Sequence, residues 1–279
     1  MVLTSAGLSP LLLAVLRKRS PVRDVAVVAL NMAAYKAAYE MPNDDPVQAA
    51  ERVRVEYPIA IDRALGLGVA PSVRLQRAFA REGEIRPFER FLVWCHWLWF
   101  AVPHGAVAYV WLRKGNDRLP GAAARMYAVF DLGAIFYWTI PTAPPWWAAS
   151  RGELEDGRAL VVRRMMIEYG EQFWGKRWPP LFNVLGGNPL AAMPSLHFAT
   201  SLMAADLLSD VGPVSAVVGW GYATALGLSL VYLGEHYVID LIGGAALFES
   251  VRRGAPRVTP VAWRISRTIQ RLQERAGTA

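Results

Sequence analysis

Apolar residues in this chain collect into long runs, not into the alternation of a half-buried strand. Three runs, Phe91–Leu112, Ala122–Pro141 and Val214–Leu233, each come close to the roughly 20 residues that a helix needs to cross a bilayer. Leu190–Leu208 and His236–Val251 are shorter and carry ionisable groups, and Val25–Met41 has Lys36 inside it. Together they predict an all-α, polytopic membrane protein with about six transmembrane helices in a bundle. The natural division is an N-terminal segment 1–24, a membrane domain 25–251 and a basic tail 252–279.

The connections differ in kind. Residues 42–88 mix charge with apolar stretches such as Val69–Val73 and predict amphipathic helices at the membrane interface. Residues 142–192 open with Thr142-Ala143-Pro144-Pro145-Trp146-Trp147 and close with Gly186-Gly187-Asn188-Pro189. Pro and Gly break helices there, and Trp suits headgroup depth. A connection of that length is long enough to carry function. Leu8–Leu16 is apolar, but its basic cluster follows it, so it reads as a short interfacial helix and not as a cleaved signal.

Composition agrees with a bilayer protein. Of 279 residues 54% are hydrophobic and 19% charged, with 11 Trp and a mean hydropathy of +0.22. Disorder is excluded by that content, and a disulfide scaffold by the lone Cys95. A net charge of +7 invites a nucleic-acid partner, but the basic residues sit between the apolar runs and form no aromatic-interleaved patch. Their distribution follows the positive-inside rule instead. Arg17, Lys18, Arg19 and Arg23 face only Asp24, and Arg113, Lys114 and Arg118 face only Asp117. The tail sets Arg252, Arg253, Arg257, Arg264, Arg267, Arg271 and Arg275 against Glu274. Residues 42–88 hold seven basic and seven acidic groups, and 142–192 six and five. Both termini are therefore expected in the cytoplasm and the long connections outside; 26 Arg to 4 Lys, with many Ala, suggests a GC-rich bacterial genome and so a bacterial cell membrane. The tail Val261–Arg275 interleaves Arg with Val, Ile and Leu, which suits either a helix on an anionic inner leaflet or a solvated basic end.

Two of the four histidines carry the candidate chemistry. His197 lies in Met193-Pro194-Ser195-Leu196-His197, where the fourth span starts, and His236 in Glu235-His236-Tyr237-Val238-Ile239-Asp240, where the fifth turns into the sixth. A six-span topology puts both on the outer face. Pro194 suits a first helical turn, so Ser195 and the free N–H groups behind it form a ready anion site. His236 and Asp240 are four apart on one helical face, where a carboxylate can fix one imidazole tautomer and leave the other nitrogen free to attack. One histidine as nucleophile and one as proton donor describe phosphoryl transfer through a phosphohistidine, with no metal or cofactor required. His96 and His104, among Trp94, Trp97 and Trp99, read as packing residues of the second span.

Pro194-Ser195-Leu196-His197 and Ser229-x6-His236-x3-Asp240 resemble the second and third motifs, PSGH and SR-x5-H-x3-D, of the type 2 phosphatidic acid phosphatase superfamily. The string Asn188–His197 and His236-Tyr237-x-x-Asp240 look most like the branch that includes fungal inositol phosphorylceramide synthase, sphingomyelin synthases and bacterial relatives. The resemblance implies a lipid phosphatase or phosphotransferase acting at the outer leaflet on a phospholipid or prenyl (di)phosphate. It makes His236 the nucleophile, Asp240 its orienting partner, His197 the leaving-group acid and Ser195 a phosphate ligand. The first motif, K-x6-RP, is absent: before Arg86-Pro87 the lysine position holds Phe79. Trp146 stands where many relatives have Pro-Pro-Arg, and Leu230 replaces the third-motif Arg. The phosphate still needs cations. The outer candidates are Arg151, Arg158, Arg163, Arg164, Lys176 and Arg177, with Lys176 and Arg177 favoured because they stand nearest the catalytic helix in the chain.

Three alternatives stay open on the residues alone. They are a serine hydrolase using Ser195, a metal site from His197, Glu235, His236 and Asp240, and a proton-coupled transporter or non-catalytic lipid-binding protein.

Overall fold

The computed structural model describes residues 2–18, 20–40, 46–154, 162–185 and 187–278. These are almost entirely helical, and apart from isolated bridges the described residues form no strand. The helices are α1 (Val2–Leu16), α2 (Pro21–Glu40), α3 (Pro46–Arg52), α4 (Glu56–Leu65), α5 (Pro71–Phe79), α6 (Pro87–Leu98) and α7 (Val102–Lys114). Then come α8 (Leu119–Thr139), α9 (Pro145–Ser150), α10 (Met165–Trp174), a 3-10 turn (Gly175–Arg177), α11 (Trp178–Leu185), α12 (Leu196–Ser209), α13 (Pro213–Tyr232) and α14 (Val238–Arg275).

At the centre stands α12, which packs on α7, α8, α13 and α14. Nine of its 14 residues are buried, all round the helix, so it has no solvent or lipid face of any width. Small residues on it, Ala199, Ser201, Ala204 and Ala205, let its neighbours approach closely. One of its buried polar groups is matched twice: Thr200 Oγ1 donates to Leu196 O at 2.7 Å and accepts Trp99 Nε1 at 2.8 Å. At its far end Arg125 of α8 forks between Asp206 at 3.0 Å and Asp210 at 2.8 Å. α13 is tied to α6 by Ser229 Oγ to Leu92 O (2.7 Å) and Tyr222 OH to Cys95 O (3.0 Å).

The second apolar run is not one helix. It breaks between Leu98 and Val102, and its two halves, α6 and α7, meet at 61°. Pro103 opens α7; it has no N–H for the helix ladder, and its ring would clash with the carbonyl four residues back. By length and apolar composition α13 alone passes as a membrane crossing among the described helices, and α6 with α7 passes as a bent pair. The other expected spans are interrupted by charge or short: α2 contains Lys36, and α12 has 14 residues, roughly 21 Å at 1.5 Å per residue.

The expected fourth run starts late. Residues 190–195 are not helical but form, with 54 and 142, a small clasp over the end of the bundle. Arg54 N donates to Pro141 O (2.8 Å), Thr142 N to Leu190 O (2.8 Å) and Ala192 N to Thr142 O (3.1 Å). α4 and α5 cover the same end with inward faces that include Ile59, Asp62, Val73 and Gln76. At the opposite end, the boundary expected at 251 does not interrupt α14. Its helix runs on past Gly121 of α8, whose added Cβ would lie 3.5 Å from Thr259. The tail then returns to α1: Gln273 Nε2 reaches Ala14 O at 2.9 Å and Thr278 Oγ1 reaches Val15 O at 2.6 Å.

α14 reaches α12 only because residue 244 is glycine. A Cβ there would stand 2.5 Å from the backbone oxygen of Ser195, which cannot move without moving the start of α12. Gly254 on the same helix has nothing within 4 Å. Gly244→Ala is therefore expected to lower stability by about 1–3 kcal/mol through overpacking, and Gly254→Ala to raise it by up to about 1 kcal/mol through helix propensity. Thermal unfolding in one detergent checks both signs, and equal shifts for the two variants would contradict the packing.

Candidate active site

Three helix ends converge beneath the clasp: the C-terminus of α13 and the N-termini of α12 and α14. Leu230 O accepts both Glu235 N (3.0 Å) and His236 N (3.1 Å), which folds the turn between α13 and α14 tightly. Gly234 makes the turn at φ +71°, with Val162 packed where a side chain would go. Ser195 N donates to Asp240 O at 3.0 Å and ties the two N-termini together.

This junction puts the residues expected from the sequence in a line. His236 Nδ1 lies 3.4 Å from Asp240 Oδ2, and His236 Nε2 lies 3.2 Å from His197 Nδ1. Asp240 is fully buried; its Oδ2 also accepts Tyr237 N at 2.9 Å, and its Oδ1 has no partner among the described residues. His236 has one nitrogen on a carboxylate and the other on a second imidazole.

The line opens into a cavity of about 580 Å³ whose walls are mainly aromatic. Its lining includes His96, His197, His236, Glu235, Trp146 and Arg164, together with Trp99, Phe100, His104 and Phe130 and, from α2, Tyr35 and Met32. His96, expected only to pack, brings its ring 4.8 Å from that of His197, and its Nδ1 is buried without a partner among the described residues. Nothing in the spacing of 96 and 197 signals this, because the break after Leu98 is what aims α6 at the site. His104 does pack, parallel to Phe130, while also lining the cavity. Among the described residues no group of three or more His, Cys, Asp or Glu is disposed to hold a metal ion.

The PAP2 superfamily matches residues 58–249, which is most of the chain and contains every element of this junction. The chain belongs to the PAP2 superfamily. It is also similar to the inositol phosphorylceramide synthase catalytic subunit aur1 of Schizosaccharomyces pombe, 29% identical over 131 residues. That similarity covers 44% of this chain and 30% of the relative's length. No solved structure matches.

For a PAP2 protein the cations are unusual, and the structure places the expected ones as follows. Lys176 and Arg177 are exposed on the 3-10 turn and do not line the cavity. The turn sends Trp178 inward against Trp97, 5.4 Å between rings, so its two preceding residues face out. Arg151 stacks on Trp147 and Arg163 pairs with Glu168, both away from the cavity wall, and Arg158 lies outside the described residues. The cavity's cations are Arg164 and Lys36. Ser195 is also placed differently from a phosphate ligand. Helix α12 starts at Leu196, Pro194 precedes the cap, and the fully buried Ser195 Oγ accepts Phe198 N at 3.3 Å, off the cavity wall. Ser229 and Leu230 are likewise fully buried core residues.

One positioning residue escaped the sequence altogether. Asp62 of α4, fully buried, accepts Val238 N at 2.9 Å and Ile239 N at 3.1 Å. With Asp240 on Tyr237 N, two carboxylates satisfy three successive N–H groups where α14 begins. Burial pushes the Asp62 carboxyl up to about 6, against the pull of its two N–H donors and with the help of the Asp240 charge. The folded protein then holds a proton at pH 5 that the unfolded chain, with an ordinary carboxyl, does not. Asp62 thus adds stability as pH falls from 7 to 5, by about 1.3 kcal/mol. Asp62→Asn is expected to lose that increment and, by loosening the start of α14, at least tenfold in turnover with little change in KM. Thermal unfolding and kinetics at the two pH values check it; identical pH slopes for both proteins would contradict the assignment.

Proposed function

We propose that the chain is a polytopic membrane enzyme that transfers or hydrolyses the phosphoryl group of a lipid through a phosphohistidine on His236. One observation carries the reading: the Asp240–His236–His197 line, with spacings of 3.4 and 3.2 Å, at one end of an aromatic cavity. Superfamily membership and the likeness to a phosphorylceramide synthase subunit support a lipid substrate.

Asp240 keeps the proton on His236 Nδ1 and so leaves Nε2 with its lone pair. The substrate phosphorus enters between the two rings, displacing the contact of His236 with His197. Nε2 attacks phosphorus in line, a P–N bond forms, and the P–O bond to the leaving alkoxide breaks. His197 gives that oxygen its proton. In the second half His197 takes the proton of the acceptor hydroxyl as its oxygen attacks phosphorus and the P–N bond breaks. Water as acceptor makes a phosphatase, and a lipid or polyol hydroxyl a phosphotransferase. The branch of the resemblance favours transfer.

Six membrane passes follow if α2, the bent α6–α7 pair, α8, α12, α13 and the first half of α14 all cross. The basic ends then lie in the cytoplasm and the histidines at the outer leaflet of the cell membrane. The charge distribution supports this orientation.

Purified chain in detergent with EDTA is to be offered phosphatidate, a prenyl diphosphate and phosphatidylinositol, following phosphate release and headgroup exchange. Turnover is expected to survive EDTA and to fall by at least about 10³-fold in His236→Ala, as for loss of a covalent nucleophile. Near-normal turnover in that variant, or its loss on chelation, would overturn the mechanism. His197→Ala is expected to recover partly on a substrate with an activated leaving group, which needs no proton; equal losses on both substrates would remove His197 from that role.

A further inference from the structure

The phosphate chemistry just proposed lacks three of the cations that the motifs would supply: 79 is Phe, 146 is Trp and 230 is a buried Leu, while Arg86 of the first motif remains but lies 3.6 Å from Glu89 and off the cavity wall. The cavity itself contains a replacement. Arg164 lines the same cavity as His96, His197 and His236, and its guanidinium lies 3.5 Å over the ring of Trp146. Its buried Nε has no hydrogen-bond partner among the described residues.

The backbone beneath Arg164 is held from both sides. Gln76 accepts Arg163 N at 2.8 Å and donates its own amide to Tyr232 O (2.8 Å) and Arg163 O (3.2 Å), which fastens this segment to the end of α13. Arg164 O then accepts Ile167 N and Glu168 N at the start of α10. The stacking partner is equally fixed, since Trp146 N donates to Gly234 O at 3.0 Å, two residues before His236. An indole under its face holds the guanidinium plane while leaving the N–H edge free. That edge is the fork that two oxygens of a phosphoryl group fit. Glu235, also on the cavity wall, has a buried Oε1 without a partner among the described residues and lies within electrostatic reach of Arg164.

We infer that Arg164, stacked on Trp146, is the residue that binds the phosphoryl oxygens of the substrate. The inference rests on the phosphohistidine reading for its place in the reaction, but the binding itself does not need His236 to react. The ligand class is a tetrahedral phosphate oxyanion, whether free or on a lipid.

Calorimetric titration of the purified full chain in detergent with inorganic phosphate separates the two claims. Wild type and His236→Ala are expected to bind phosphate with Kd values within a few-fold. Arg164→Ala should weaken binding at least 100-fold. Arg164→Lys, which keeps the charge but not the stacked fork, should weaken it about tenfold, and so should Trp146→Ala. In kinetics Arg164→Lys should raise KM more than it lowers kcat. Unaltered phosphate affinity in folded Arg164→Ala, or no binding by wild type, overturns the inference. Affinity kept in Arg164→Ala but lost in the Lys176→Ala/Arg177→Ala double variant overturns it too and returns the role to the 3-10 turn. If phosphate binding depends on Arg164 while His236→Ala still turns over lipid, the phosphohistidine reading fails and Arg164 stands.

Discussion

The start of α14 sets the terms for the rest of the structure. A helix that begins inside a protein leaves its first N–H groups without partners, and here they lie against apolar side chains and cannot turn to water. Two buried carboxylates take them: Asp240 from one turn along the same helix and Asp62 from α4. The first of these also meets His236, so the group that caps the helix is the group that orients the imidazole. Ser195 N on Asp240 O brings in the start of α12, and with it His197. The small helix α4 thus bears on the candidate site, since its Asp62 provides part of the cap that holds the start of α14, beside His236, in place.

How much of this was legible in the sequence depends on how far apart the partners are. His236 and Asp240 are four residues apart, and helical geometry alone puts them together. His197 needed one further step, an expected count of spans that puts residues 197 and 236 on one face, and the structure does bring the starts of α12 and α14 together. Both steps use only local periodicity and parity. Asp62 and His96 needed knowledge of how α4 and α6 pack, and no spacing encodes that. The favoured cations show the same limit from the other side. Lys176 and Arg177 are near α12 along the chain, but one inward tryptophan, Trp178, turns them out. Arg164, further away in sequence, is brought in by Gln76.

The break after Leu98 has a comparable origin. Apolar composition carried the sequence reading straight across Pro103, although proline is the residue that stops a helix there. The bend has a structural use, because it leaves α6 aimed at the histidines while α7 goes on to pack against α12. The cavity lies along this broken pair. Its lining combines a few charged and imidazole groups with many aromatic rings, a composition that suits a molecule with a charged head and an apolar body.

The central claim is that His236 Nε2 takes the phosphoryl group covalently. Quenching the enzyme in base during turnover of a lipid labelled in its phosphate, then mapping the labelled peptide by tandem mass spectrometry, tests it directly. The account predicts an acid-labile, base-stable phosphoryl group on His236, absent from His236→Ala. Label on Ser195, or sustained turnover with no label on His236, would contradict it.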